Sequence, residues 1–176
     1  MAGVVLALDV ATVLGFAVGS IGNESPRTAL ELATRGGLPQ PHSGTFRIAK
    51  PKTDDGRFYS NYESWLNDMI TLHNPDMVVY EAPFIAGGNK MHAAFRLLGL
   101  SAITDLTCFN KNVACRSAHN ATVRKYFCGT GNAKREIMKQ KINEACDARG
   151  WTYKDDNEAD SLAVWEYSQA MLLGLI

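Results

Sequence analysis

The chain has 176 residues, 46% of them hydrophobic, and its 18 basic and 18 acidic side chains cancel to a formal net charge of zero. This length predicts a single domain, residues 1–176, whose core needs no disulfide or metal support. No apolar run approaches the roughly 20 residues that cross a bilayer, and no basic segment precedes the first apolar stretch as in a signal peptide. We therefore expect no membrane partner and a location in the cytoplasm.

The cysteines and histidines do not predict a structural zinc site. The four cysteines form no C-x-x-C pair, and the four histidines show no H-x-x-x-H spacing. Reduced and largely buried thiols are the expectation.

The first strand ends at a carboxylate. Residues 4–8 form an apolar run typical of a strand buried at the centre of a sheet, and Asp9 follows at once. A second apolar segment from residue 13 predicts a strand that returns beside the first. A carboxylate in this place costs several kcal/mol unless something compensates it. Asp9 therefore either binds a cation or caps the turn at residues 11–12.

The remaining elements alternate between strand and helix after a Gly- and Pro-rich loop at residues 20–42. Strands are predicted at 44–48, 77–80 and 113–116, and the second of these is followed directly by Glu81. Helices are predicted at 57–72, 91–109, 119–127, 134–149 and from 155 or 156 to about 173. Gly150 should end the fourth helix, and Asp155 or Asp156 should cap the last. This order predicts a mixed α/β sheet with helices on its faces.

Charge is unevenly distributed along the second half of the chain. Residues 111–149 contain nine basic and three acidic side chains, whereas residues 155–166 contain five acids and no base. A basic surface beside an acidic pocket suits a polyanionic substrate that is cut with the help of cations. An ordinary solvated helix face is the alternative.

Acidic side chains stand at three points: Asp9, Glu81 and the start of the last helix. In that helix Asp160 shares a face with Asp156 and Asn157, whereas Glu158 lies on a different face if the first turn is regular. Carboxylates from separate elements can hold two Mg²⁺ ions about 4 Å apart, an arrangement that activates water for phosphodiester cleavage. Each acid alone is more often a cap or a surface charge, but the constellation as a whole favours the metal site.

These segments resemble the three acidic motifs of RuvC-type Holliday junction resolvases, of the RNase H-like superfamily, and above all those encoded by phages and prophages. The matching segments are Leu-Ala-Leu-Asp at 6–9 with Gly-Phe-Ala at 15–17, Val-Val-Tyr-Glu at 78–81, and Glu-Ala-Asp-Ser-Leu-Ala at 158–163. The resemblance spans residues 4 to about 167 in the family's order. It implies an RNase H-like mixed five-stranded sheet flanked by helices, in a protein of a bacterial or phage-infected cell.

The resemblance further implies a homodimeric, Mg²⁺-dependent endonuclease that nicks two opposing strands of a four-way junction, with Mn²⁺ as a substitute metal. It assigns metal binding to Asp9, Glu81 and Asp160. Phe84 takes the place of an aromatic that stacks on bases, as an alternative to a core position. The basic positions that it places against DNA are Arg124, Lys125, Lys134 and Arg135. The apolar helix at 91–109 takes the place of the dimer interface, unless another helix of the same chain covers it.

One position departs from the family pattern. The fourth ligand, usually Asp or His three residues before the last Asp, falls on Asn157, which offers a carbonyl oxygen but no charge. Asp156 or Glu158 can replace it, and the helix geometry favours Asp156. The alternatives left open are a related nuclease for flap or fork DNA or an RNA precursor, and a junction-binding protein without catalysis. A sugar-kinase-like ATPase would need a second domain for which the chain is too short.

Overall fold

The computed structural model describes residues 3–20, 39–83 and 91–172. Its strands are β1 (Val4–Asp9), β2 (Val13–Ser20), β3 (His42–Arg47), β4 (Met77–Glu81) and β5 (Ala114–Ala118). The helices in these ranges are α1 (Asp55–His73), α2 (Met91–Asn110), α3 (Asn120–Cys128), α4 (Arg135–Ala148) and α5 (Asp156–Leu172). The strands form one sheet in the order β3-β2-β1-β4-β5. The predicted mixed α/β sheet with flanking helices is confirmed.

The sheet is antiparallel on one side of β1 and parallel on the other. Strand β1 pairs antiparallel with β2, in a register that places Asp9 opposite Gly15. It pairs parallel with β4, in a register that places Leu8 opposite Tyr80. Because the two strands run in the same direction, the acids that follow these residues, Asp9 and Glu81, end neighbouring strands at the same edge of the sheet.

Helices cover both faces of the sheet, which explains the uninterrupted apolar run of β1. On one face Val5 and Ala7 pack with residues of α3, α4 and α5, and on the other Leu6 and Leu8 pack with residues of α1 and α2. All four of these β1 side chains are completely buried. The sequence interpretation of β1 as a doubly covered central strand is therefore confirmed.

Most predicted element ends differ from the observed ends by one or two residues. Strand β3 begins at His42 because it follows the pairing of β2 as far as Val18, a constraint that its own Gly and Ser residues do not reveal. Asp155 caps α5, since its Oδ1 accepts a hydrogen bond from the Glu158 backbone N–H at 3.0 Å. Gly150 follows α4 with φ of 71°, as expected of a residue after a helix end.

The predicted loop at 20–42 and Phe84 lie largely or wholly outside the described residues. Within the described ranges, no helix combines the length and the apolar character that a membrane span requires.

Candidate metal centre and nucleic-acid interface

The strand ends place two of the predicted ligands side by side. Asp9 and Glu81 close the parallel strands β1 and β4, and the side chain of Glu81 is only 12% exposed. The sheet thus fixes both backbones, and helices on both faces limit the access of water. The register alone is enough to make these two carboxylates neighbours.

Helix α5 brings the third carboxylate, Asp160, to the same edge. The first turn of α5 lies directly on β2: a Cβ added to Gly15 would stand 1.8 Å from the carbonyl oxygen of Asn157. Only a residue without a side chain permits this approach. Because Gly15 lies opposite Asp9 in the sheet, the contact holds the start of α5 beside the end of β1. Gly15 is therefore a residue on which the position of Asp160 depends.

The three carboxylates destabilise one another's charged forms. Burial, followed by the negative charges of Glu81 and Asp160, raises the pKa of Asp9 well above its ordinary value. Burial and the charge of Asp160 raise the pKa of Glu81 to about 7. Burial also raises the pKa of Asp160 to about 6, although nearby cations oppose the shift. Charging all three carboxylates is therefore costly, because burial limits the screening by water.

Arg124 on α3 is the cation nearest to this group, but it does not neutralise it. Its Nη2 lies 3.9 Å from Oε1 of Glu81, at the outer limit of an ion pair. The guanidinium lowers the pKa of all three carboxylates, yet the net shift of each remains upward. The upward shifts persist although Arg135 and Lys139 also act on Asp160, and a divalent cation would offset the remaining cost of charging the three carboxylates.

The donor chemistry of this group fits Mg²⁺, which prefers carboxylate and carbonyl oxygens. Within residues 3–20, 39–83 and 91–172, no group of three Asp, Glu, His or Cys side chains is already arranged to enclose a metal ion. Asp160 nevertheless lies close enough to raise the pKa of both Asp9 and Glu81, and Glu81 raises that of Asp9. The group is therefore a set of clustered oxygen donors whose mutual repulsion a cation would relieve.

The three residues considered for a fourth ligand have different surroundings. Asp156 forms an ion pair with Lys139 of α4 through its Oδ2. Glu158 is buried, and it accepts hydrogen bonds from Ser43 Oγ at 2.7 Å and from the Lys154 backbone N–H at 2.9 Å. Asn157 lines the same cavity as Asp160. Asp156 and Glu158 thus already have partners, and Asn157 borders the cavity beside the last carboxylate.

Two cavities adjoin Arg124. The first, of about 410 Å³, has polar lining from Arg124, Arg135, Lys139, Asn157 and Asp160. The second, of about 540 Å³, lies between the start of α3 and the turn that precedes α4, and its polar lining includes His119, Asn120, Asn132 and Arg124. The cavity beside Asp160 thus combines three cationic side chains with one of the predicted metal ligands.

The predicted DNA-contacting residues separate into two groups. Arg124 and Arg135 line the cavity beside Asp160, whereas Lys125 and Lys134 are exposed and line neither cavity. Lys139 lines the first cavity although its role was not identified from sequence. Its spacing of four residues from Arg135 was the available signal, because residues so spaced lie on one face of a helix.

The same fold occurs in solved structures of Holliday junction resolvases. RuvC of Thermus thermophilus matches with a TM-score of 0.69 and 16% identity, over 97% of this chain and 96% of that one. T. thermophilus RuvC in complex with Holliday junction substrate matches with a TM-score of 0.69 and 14% identity, over the same shares. The yeast mitochondrial Holliday junction resolvase Ydc2 matches with a TM-score of 0.62 and 13% identity, over 96% of this chain and 79% of that one.

The sequence comparisons do not find this relationship: no protein-family model and no curated protein matches the chain. The structural matches cover nearly the whole chain. The chain therefore has the RuvC-type, RNase H-like fold that its three acidic motifs predict.

Proposed function

We propose that this protein is a Mg²⁺-dependent endodeoxyribonuclease that resolves Holliday junctions or related branched DNA by paired nicks. The observation that carries the proposal is the convergence of Asp9, Glu81 and Asp160 beside a cavity lined with basic side chains. The fold that presents this group is shared with junction resolvases, one of them in complex with its Holliday junction substrate.

The proposed metal ligands are Asp9, Glu81 and Asp160, and Asn157 offers a neutral carbonyl oxygen beside them. When bound, divalent ions activate the attacking water and stabilise the leaving oxygen of the phosphodiester. The chain's own contribution is rigidity, because the carboxylates extend from two sheet strands and from a helix packed against Gly15. The guanidinium of Arg124 would attract the phosphate and orient it toward the carboxylates.

Phosphate binding by this cavity would be electrostatic and therefore sensitive to salt. Arg124 and Arg135 are the residues proposed to contact the backbone close to the cut, and Lys125 and Lys134 to contact it further away. Each phosphate contact steepens the dependence of the binding constant on salt by about one unit on logarithmic axes. The stacking role of Phe84 stays a prediction.

The functional species is proposed to be a homodimer assembled through α2. Two symmetric nicks call for two equivalent sites, which a two-fold dimer presents to a nearly two-fold junction. One side of α2 is buried at Leu100, Thr104 and Cys108. A second side exposes large apolar residues: Met91, Phe95, Leu98, Leu106 and Phe109. Helix α4, the alternative cover, packs on the opposite face of the sheet.

The dimer proposal is tested with Leu98→Glu, because Leu98 is 44% exposed on the apolar side of α2. We expect a folded monomer that binds junctions less tightly and makes unpaired nicks, with mass measured by analytical ultracentrifugation. Leu72→Glu is the matched control, since Leu72 is 75% exposed on α1. A wild-type protein that resolves junctions while it sediments as a monomer would contradict the proposed assembly.

Substrate choice is tested by incubating the purified protein with labelled four-way junction, flap, duplex and RNA:DNA hybrid, with Mg²⁺, Mn²⁺ or EDTA. Paired, metal-dependent nicks in the four-way junction are the expected result. Preferential cutting of the flap or the hybrid would favour a related nuclease with another substrate. Junction binding without cleavage under any metal condition would indicate a junction-binding protein in which Asn157 has replaced a charged ligand.

A further inference from the structure

Lys139 and Asp156 form an ion pair between α4 and the first turn of α5, at the wall of the cavity that contains Asp160. The two side chains are 39% and 40% exposed, so water screens the attraction between them. Ion pairs of this exposure add little to stability. The position of the pair beside the carboxylates calls for another explanation.

Packing of α4 holds Lys139 at the cavity. Met138 and Ile142 are 3% exposed and belong to the core between the helices and the sheet, so α4 cannot rotate freely about its axis. Arg135 lies one turn before Lys139 and lines the same cavity. The two cations therefore form a continuous basic edge along α4, facing α5.

Lys139 and Asp160 line the same cavity, and their charges interact, so the ammonium lies near the proposed cleavage centre. Lys139, Arg135 and Arg124 each lower the pKa of Asp160, whereas Asp156 raises it. A cavity of about 410 Å³ bordered by three cations is suited to an anionic group, and a phosphodiester is the anion that the proposed substrate supplies. Lysine acts in such a site as a compact point charge that hydrogen-bonds phosphate oxygens.

We propose that Lys139 contacts a backbone phosphate of the bound DNA strand in this cavity, and that Asp156 positions the Lys139 ammonium instead of serving as a metal ligand. The assignment rests on the proposed nuclease function and extends it to a residue outside the three acidic motifs. In this arrangement Asp156 is a positioning residue, because it acts on DNA only through Lys139. The neutral Asn157 is then left as the residue of the first turn of α5 that lines the same cavity as Asp160.

The test uses Lys139→Gln, Asp156→Asn and the variant that carries both changes. The control is Lys141→Gln, which removes one positive charge from an exposed position of α4. Junction binding is measured in EDTA over a range of salt concentrations, and kcat and KM are measured in Mg²⁺. We expect Lys139→Gln to weaken binding about fivefold and to reduce the logarithmic salt slope by about one. Lys141→Gln should change the slope by less than half as much.

The Asp156→Asn variant tests whether the Asp156 carboxylate positions Lys139 or binds metal. Positioning predicts a raised KM, a kcat within about threefold of wild type, and an unchanged Mg²⁺ requirement. It also predicts that the double variant binds no more weakly than Lys139→Gln, because residues that act through one contact are not additive. A loss of kcat of about 100-fold with intact binding in EDTA would instead place Asp156 in the metal site and overturn the assignment.

A charge-swapped variant, Lys139→Asp with Asp156→Lys, distinguishes binding from structure. If the ion pair has only a structural role, the swap should restore both thermal stability and DNA binding. If Lys139 binds phosphate, the swap should restore thermal stability but leave DNA binding impaired. Full recovery of binding, or a salt slope for Lys139→Gln equal to that for Lys141→Gln, would overturn the assignment while leaving the nuclease proposal standing. Wild-type protein that neither binds nor cuts branched DNA would overturn both.

Discussion

Two groups of buried charge lie along α5, one at its start and one further along. Glu166 is 2% exposed, and its two carboxylate oxygens accept hydrogen bonds from Nε and Nη2 of Arg149 at 2.6 and 2.7 Å. The same guanidinium donates to the backbone carbonyls of Ala145 and Phe127 and lies 4.2 Å above the Phe127 ring. In the described residues, the one ion pair of the group of Asp9, Glu81 and Asp160 is the long contact between Glu81 and Arg124, and Arg135 and Lys139 act on Asp160 electrostatically.

The difference separates a structural charge from a functional one. Burial raises the pKa of Glu166, but hydrogen bonds from Arg149 oppose the shift, and each partner satisfies the other. This pair connects the ends of α3 and α4 to α5. Among the described residues, Asp9 and Glu81 have no such doubly hydrogen-bonded partner, so their repulsion remains available to favour a bound cation. One helix therefore carries both a fully paired charge and an incompletely compensated one.

The largest expected effect on stability comes from removing Arg149, the partner of Glu166. Arg149→Met should leave Glu166 buried without a partner and lower the free energy of unfolding by about 3–5 kcal/mol. Urea unfolding followed by circular dichroism measures the change. Arg149→Met with Glu166→Leu should lose less, because replacing both partners with apolar groups removes the unpaired charge. Equal losses in the single and double variants would mean that Arg149 stabilises the protein through its other contacts.

Substitutions in the group of Asp9, Glu81 and Asp160 should mainly reduce cleavage. Asp9→Asn, Glu81→Gln and Asp160→Asn should each reduce Mg²⁺-dependent cleavage by at least about 100-fold, equivalent to about 2.7 kcal/mol in the barrier. Junction binding in EDTA should remain within a few-fold of wild type, because basic side chains hold the DNA. A variant that nicks junctions at near wild-type rates would remove its residue from the proposed metal site.

The charge repulsion should also appear as a pH dependence of stability. The pKa of Glu81 is raised to about 7 from an ordinary value of 4.5, so the folded state retains a proton that the unfolded state has lost. In EDTA, stability should therefore fall as pH rises from 4.5 through 7.

Glu81→Gln removes this penalty. It should gain on the order of 2–3 kcal/mol at pH 8 and nothing near pH 4.5, as measured by urea unfolding in EDTA. Glu63→Gln, an exposed change on α1, should show no such difference. A Glu81→Gln variant no more stable than wild type at pH 8 would mean that the carboxylates are already compensated.

The smallest expected effect follows from disturbing the contact between Gly15 and the Asn157 carbonyl. Gly15→Ala places a Cβ against the Asn157 carbonyl, so the start of α5 must move, at a cost of about 1–3 kcal/mol. The cleavage rate should fall by more than the loss of folded protein explains, since the shift moves Asp160 away from Asp9. Gly56→Ala is the control, because its added Cβ would meet only Asp54 Oδ1 at 3.4 Å. Unchanged cleavage in Gly15→Ala would show that α5 adjusts without moving Asp160.

The central strands and the acids at their ends could be predicted from the pattern of residues alone. A run of apolar residues closed by Asp9 or Glu81 can be read locally, because burial on both faces requires such a run and a carboxylate within it is costly. The helix ends at Asp155 and Gly150 could also be predicted, because these residues act on near neighbours in the chain.

Contacts between elements distant in the chain set which side chains at the start of α5 face the strand ends. Periodicity places Asp156 and Asn157 on the face of Asp160, but it does not reveal that Lys139 of α4 pairs with Asp156. Nor does it reveal that Gly15 admits the backbone of Asn157. Both contacts join residues far apart in the chain, and they depend on how closely α4 and β2 approach α5. That distance is set by the packing of whole elements, which no local pattern of residues encodes.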